Sequence, residues 1–271
     1  ALYFFTKDVV QIITYQHSLY SELKLYLLPF GCEIELLKQL DDRLFPHLLV
    51  CKGKKFFEKL RGNGRSLPFD IAIGGAIDYW LNTEASHPRM GAIPSPKVVV
   101  IGCSVAPDLE NLLNFFIDCR DEFLEMKLEG FDFQVLLHPK DSLQSARNII
   151  HTYHFDEILK IASSLDEVMS VQPRLLICGF SSLAMDFFCR GIPVIHCVSG
   201  SVVPLYDPIP GVFDISTGEA LGRLIRRATA PKASELVERE RQVALAIENH
   251  YGSRSNVDWF IRKLGCNEKI D

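Results

Sequence analysis

The chain has 271 residues, 48% of them hydrophobic and 23% charged, with a formal net charge of −5. That length holds one large domain or two modest ones with a real core, and the composition is ordinary for a globular protein. The small acidic excess disfavours nucleic acid as a partner, and no run reaches the roughly 18 apolar residues that cross a bilayer.

In chain order, Val9–Tyr15 reads as a strand ending in Gln16-His17-Ser18, and His47–Val50 as a second short strand. Lys52, Lys54, Lys55, Lys59, Arg61 and Arg65 then form a basic run with Phe56 and Phe57 interleaved. It reads as a solvated basic helix with two core phenylalanines; the alternative is peripheral contact with the inner membrane. Ile71–Ile73 is a third strand, followed by Gly74-Gly75. Pro94-Ser95-Pro96 is the linker candidate, because proline suppresses both helix and ladder pairing.

Beyond the linker, strands and helices alternate. Lys97–Cys103 is a continuous apolar run, as a buried parallel strand requires. Pro107 and Asp108 open a helical pattern running to about Leu128, with Leu109, Leu112, Leu113 and Phe116 on one stripe and Gly130 ending it. Phe133–Leu137 is a strand closing on His138-Pro139. Ser142–Tyr153 reads as a helix, and Ile158–Ala162 is an apolar segment of undecided type. Ser164–Val171 is a helix capped by Ser164 with Glu167 at the capping-box position. Arg174–Phe180 is a strand, Ser181–Arg190 a helix ended by Gly191 and Pro193, Pro193–Val198 a strand and Val212–Ile215 a fifth. Helices Thr217–Thr229, Ala233–His250 and Ser255–Leu264 follow.

This order predicts an α/β protein: a parallel sheet covered on both faces over 94–271, preceded by a thinner α/β lobe over 1–93. Ligands of such sheets bind at the C-terminal ends of the strands. Three loops therefore matter: Ser104–Asp108, His138–Asp141 and Gly179–Ser182.

At Cys178-Gly179-Phe180-Ser181-Ser182, glycine permits close backbone approach, and two hydroxyls fall on the first helical turn beside free N–H groups that favour an anion. The competing reading is an ordinary N-cap. At His138-Pro139-Lys140, proline holds the preceding residue extended at the rim, where an imidazole can donate to a phosphate oxygen beside the charge of Lys140. The competing reading is a surface histidine. Ser104 adds a hydroxyl to the same crevice. Glu219, after Ser216-Thr217-Gly218, either accepts from a ribose or complements a helix dipole.

These motifs resemble a family. An HP pair after a strand, an SS pair opening a helix about forty residues later, and the strand Gly191-Ile192-Pro193-Val194-Ile195 look like the donor domain of certain bacterial GT-B transferases. They include the capsule and lipopolysaccharide sialyltransferases, the Kdo transferases and the CDP-glycerol glycerophosphotransferases. Tyr251-Gly252-Ser253-Arg254-Ser255 looks like their closing segment, and Tyr15-Gln16-His17-Ser18 resembles their QHG-like strand end. The sequence departs from the pattern in lacking the arginine often found around the HP pair.

The resemblance implies a GT-B fold of two Rossmann-like lobes, the N-terminal one short or truncated. It implies a CMP- or CDP-activated donor held at its phosphate by His138, Ser181 and Ser182, a glycan acceptor, and no bound metal. His17 or Glu22 would act as base, with Glu33, Asp70 and Asp78 as further carboxylate candidates. The eight cysteines, Cys32, Cys51, Cys103, Cys119, Cys178, Cys189, Cys197 and Cys266, form no CxxC pair and read as reduced buried thiols of a cytoplasmic protein. No signal-peptide pattern stands at the start. Residue 1, Ala, already reads as folded sequence, as in a fragment or processed chain.

Overall fold

The computed structural model describes residues 2–6, 9–15, 46–62, 67, 69–77, 79–80, 97–103, 106–179, 181, 183–198 and 212–265. Its strands are β1 (Leu2–Thr6), β2 (Val9–Tyr15), β3 (Leu48–Cys51), β4 (Asp70–Ile73), β5 (Lys97–Gly102), β6 (Phe131–Leu136), β7 (Leu159–Ala162), β8 (Leu175–Cys178), β9 (Val194–Cys197) and β10 (Val212–Ile215). The helices described are α1 (Lys54–Gly62), α2 (Ala106–Phe116), α3 (Arg120–Leu128), α4 (Leu143–Thr152), α5 (Leu165–Ser170), α6 (Leu183–Cys189), α7 (Leu221–Thr229), α8 (Ala233–Tyr251) and α9 (Arg254–Gly265). The chain forms two compact units, one of Ala1–His87 with Ala244–Asp271, the other of Pro88–Val243.

The first unit is built on a four-stranded sheet in the order β1-β2-β3-β4, with β1 antiparallel to β2 and the other pairs parallel. Strand β1 is an element the sequence reading does not include. The core here is small: Ile13, Leu48 and Val50 pack with Phe260 of α9. Tyr15 stacks on Phe260 with ring centroids 5.6 Å apart and planes 5° from parallel.

The unit needs its C-terminal segment. Ala76 N–H donates to Tyr251 O at 2.8 Å, and Arg254 Nη1 donates to Trp80 O at 3.2 Å. The approach is tight at Gly53, where a Cβ would sit 2.3 Å from the Asn249 carbonyl oxygen. The expected division into 1–93 and 94–271 therefore differs from these units, because residues 244–271 complete the N-terminal core. In the basic run, Phe56 is buried, Lys54 pairs with Glu58 and Glu248, and Lys52 is only 8% exposed, its Nζ lying 5.8 Å from the Tyr15 ring centroid. No described helix is long and apolar enough to cross a membrane. The Pro94-Ser95-Pro96 segment lies outside the described residues.

The second unit holds a six-stranded, all-parallel sheet in the order β10-β9-β8-β5-β6-β7. The undecided segment Ile158–Ala162 contains its edge strand β7. Burial on both faces explains why β5 and β8 read as unbroken apolar runs. One face packs Val99, Ile101, Phe133, Val135 and Ile177 against α2, α3, α4 and α7. Phe123 lies within 4.8–6.3 Å of the rings of Phe116, Phe133 and Phe155. The helix expected to run from Asp108 to Leu128 is broken by a 3-10 turn at Ile117–Cys119, where the Cys119 thiol donates to Phe116 O at 3.4 Å. Gly218 packs beside this break, where a Cβ would lie 2.5 Å from Phe115 O.

Candidate functional site

Every strand of the second sheet ends on one rim, because all are parallel. Read from β7, the order of appearance is third, second, first, fourth, fifth, sixth, so the connections reverse direction between β5 and β8. At such a reversal the loops diverge and leave a crevice. Helix α2, which follows β5, buries Leu109, Leu112 and Leu113 in the large cluster on one face. No residue of α6, which follows β8, belongs to that cluster. The two helices thus leave the crevice on opposite faces of the sheet.

His138 stands two residues past Leu136, and Ser181 three past Cys178; both Leu136 and Cys178 are level with Gly102. Their strands flank β5, about 10 Å apart at the usual strand spacing. Pro139 bends the chain here, and Asp141 N–H donates to His138 O at 2.9 Å. Lys140 N–H donates to His138 Nδ1 at 3.2 Å. With Nδ1 occupied as an acceptor, the neutral ring carries its proton on Nε2, which becomes the available donor. Lys140 is exposed.

Ser181 is only 3% exposed, and its Oγ accepts from Leu183 N–H at 3.3 Å. Its geometry is that of an N-cap. Asp108, from the first turn of α2, is 4% exposed, and its Oδ1 lies 2.5 Å from where a Cβ on Gly179 would stand. Gly179 is needed at this position to leave room for that carboxylate. Burial, reinforced by Asp108, Cys178 and Asp141, pushes the Cys103 thiol well up. Asp141 Oδ2 is buried without a hydrogen-bond partner.

Glu219 falls in the 3-10 turn Gly218–Ala220, and Thr217 before it makes no side-chain cap. His17, Glu22, Glu33, Asp78, Ser104 and Ser182 lie outside the described residues. Asp70 opens β4, at the end opposite the rim where ligands of parallel strands collect.

Three groups escape the sequence reading as site residues. Asp108 reads there only as an acid opening a helix, and Asp141 only as the end of a loop. His196 is 3% exposed, and its Nδ1 lies 3.1 Å from Asp214 Oδ1 across β9 and β10. The short, wholly buried run of β9, Val194-Ile195-His196-Cys197, gives no hint of that pair. Among the described residues no group of histidine, cysteine and acidic side chains is arranged to hold a metal ion. His151 Nδ1 lies 3.3 Å from Asp156 Oδ1. A surface groove of about 560 Å³ runs between α4 and β7, lined by Leu143, Arg147, Ile150, His151, Leu159 and Ile161 among others, and includes none of Asp108, His138, Lys140, Asp141 and Ser181.

No protein-family model and no curated protein sequence matches the chain. Solved structures of low identity share its fold. Anabaena Alr3699/HepE in complex with UDP-glucose aligns with a TM-score of 0.50 at 13% identity, over 94% of this chain and 72% of its own. The E. coli trehalose-6-phosphate protein bound with UDP-2-fluoro glucose aligns at 0.51 and 12% identity, over 94% and 67%. A putative UDP-N-acetylglucosamine 2-epimerase from Listeria monocytogenes aligns at 0.51 and 13% identity, over 90% and 65%. The architecture is GT-B, with two Rossmann-like sheets.

Proposed function

We propose that the chain is a glycosyltransferase that moves a sugar, or a polyol phosphate, from a CMP- or CDP-activated donor to a surface glycan acceptor. In this reading His138 donates from Nε2 to the donor phosphate, with Lys140, Ser104, Ser181 and Ser182 around it, and Glu219 holds the ribose. His17 or Glu22 of the first unit takes the proton from the acceptor hydroxyl. Side chains and backbone amides neutralise the leaving phosphate, and the reaction uses no bound metal.

One observation carries this reading. An imidazole whose backbone hydrogen bond leaves Nε2–H free, and a hydroxyl loop opened by glycine, flank the first strand of the sheet on the same rim at its point of reversal. That crevice is where open α/β sheets take their ligands. Ser181 must release Leu183 N–H, or share its Oγ, to serve the phosphate.

Thermal-shift measurements against CMP, CDP, UDP and GDP test the reading. CMP or CDP is expected to stabilise the chain, and His138→Ala to abolish that stabilisation. The unliganded melting point should move by no more than about 3 °C, roughly 1 kcal/mol in a chain of this size. A large loss in the unliganded variant would show His138 to be structural. Stabilisation by no nucleotide would favour a non-catalytic module.

A second reading is a sugar-nucleotide epimerase of GT-B architecture, favoured by the likeness to the Listeria structure. It requires turnover of a UDP-sugar in the absence of any acceptor.

A further inference from the structure

We propose that the open edge of β7, with the groove beside it, takes up an extended segment of another protein, apolar and acidic residues alternating, as one further strand of the sheet. The surface lies wholly within the second unit.

The ladder fixes which backbone groups face that edge. In a parallel pair a residue turns both its N–H and its C=O toward one neighbour, and the next residue turns toward the other. Leu136 O accepts from Cys103 N–H at 3.1 Å, so Leu136 is turned toward β5 and Val135 toward β7. Val135 is level with Ile161, and its bonds go to the residues on either side, Lys160 and Ala162. Ile161 therefore presents its N–H and C=O away from β6, as Leu159 presents its C=O. The Leu159 N–H agrees, since it donates to Phe155 O at 2.9 Å in the preceding turn. Among the described residues β7 pairs with β6 alone, so this row of backbone groups has no strand opposite it.

The same two residues floor the groove. Leu159 and Ile161 point their side chains to the face that α4 covers, with Ile150 beside them, and Leu143 at the start of α4 stays 46% exposed. Alternate side chains of an added strand would fall on this apolar floor. Peptides join sheet edges in this way, the backbone giving affinity and the pockets for every second residue giving specificity. Charge then selects the segment. Within the groove His151 and Asp156 answer each other at 3.3 Å, whereas Arg147 is exposed and pairs with no carboxylate among the described residues. The Lys160 side chain lies on the other face of the sheet, held by Asp132 at 2.6 Å. The groove thus offers one uncompensated cation to acidic residues set between apolar ones. Strand β7 has 4 residues, a span of about 13 Å that four or five residues of a partner can match.

Blocked, fluorescein-labelled pentapeptides in which valine alternates with glutamate or with lysine test this by fluorescence polarisation with the purified chain at low salt. The glutamate peptide is expected to bind about fivefold more tightly than the lysine peptide, and Arg147→Glu to reverse that order. Ile161→Pro removes an outward N–H at an edge position where proline is tolerated, and should weaken the glutamate peptide at least about fivefold. Should Ile161→Pro fail to fold, a fully N-methylated glutamate peptide takes its place: pairing through the backbone requires that its binding be lost. Binding of neither peptide, a wild-type preference for lysine, or binding unchanged in either variant or on N-methylation overturns the inference. Self-association of the wild-type chain in sedimentation equilibrium that Ile161→Pro abolishes would give the edge to a second copy, and overturns it as well.

Discussion

Burial pushes the Cys51 thiol up to about 12, and burial with the nearby charges of Glu122 and Asp118 does the same at Cys119. The thiolate is the reactive form, so at pH 8 neither residue presents a nucleophile in the folded chain. Iodoacetamide is expected to label the peptides carrying Cys51 and Cys119 only after denaturation. Labelling of either at the rate of a free thiol under native conditions would contradict this packing. Such burial was legible in the sequence at Cys103, Cys178 and Cys197, which stand in or at the end of apolar runs and are buried. His138 was equally legible as a rim residue, because proline after a strand imposes its own geometry. Asp108 was not. An acid in a first helical turn already has a sufficient local reason, and its contact with Gly179 depends on how two distant loops meet.

Among the elements, α5 follows its local signals closely. Ser164 Oγ accepts from Glu167 N–H at 3.1 Å, and Glu167 accepts in turn from the Ser163 backbone N–H at 2.7 Å and from its hydroxyl. Removing the cap in Ser164→Ala should cost about 1 kcal/mol in denaturant unfolding. The Ser163 hydroxyl, and then its backbone N–H, hold the Glu167 carboxyl below its ordinary value. A lowered folded value gives stability that is present above the unfolded value, near 4.5, and is lost as pH falls through the folded one. Glu167→Gln is therefore expected to lose less stability than the wild-type chain on acidification from about pH 5 to pH 3. An identical acid profile would remove Glu167 from this account. Local rules failed at two other elements. The break at Ile117–Cys119 has no glycine or proline to mark it, and it coincides with the close approach of Gly218 from another part of the chain. Strand β1 has no alternation to distinguish it, and its pairing partner β2 defines it.

At the scale of the molecule, alternation of strand and helix made the parallel sheet of the second unit readable, including its rim. The composition of the first unit was not readable. Nothing in Arg254–Gly265 states which sheet its apolar face covers, and only tertiary packing puts Phe260 against Ile13 and Val50. Phe260 is fully buried and stacks on Tyr15. Phe260→Ala should cost about 3–5 kcal/mol. Hydrogen exchange should register that loss in β2, β3 and β4 and leave β5 to β10 protected as before. Equal loss in both sheets would mean that the two units unfold as one.

The first unit is also discontinuous, with its core divided between the earliest and the latest residues of the chain. Synthesis proceeds from the N-terminus, so β2, β3 and β4 leave the ribosome long before the helix that covers them. The second unit is continuous from Pro88 to Val243 and can close over its own sheet in the interval. Nascent chains halted before residue 254 should hold a finished second unit beside strands whose apolar face is still wet. Those strands are then the segment most in need of a chaperone.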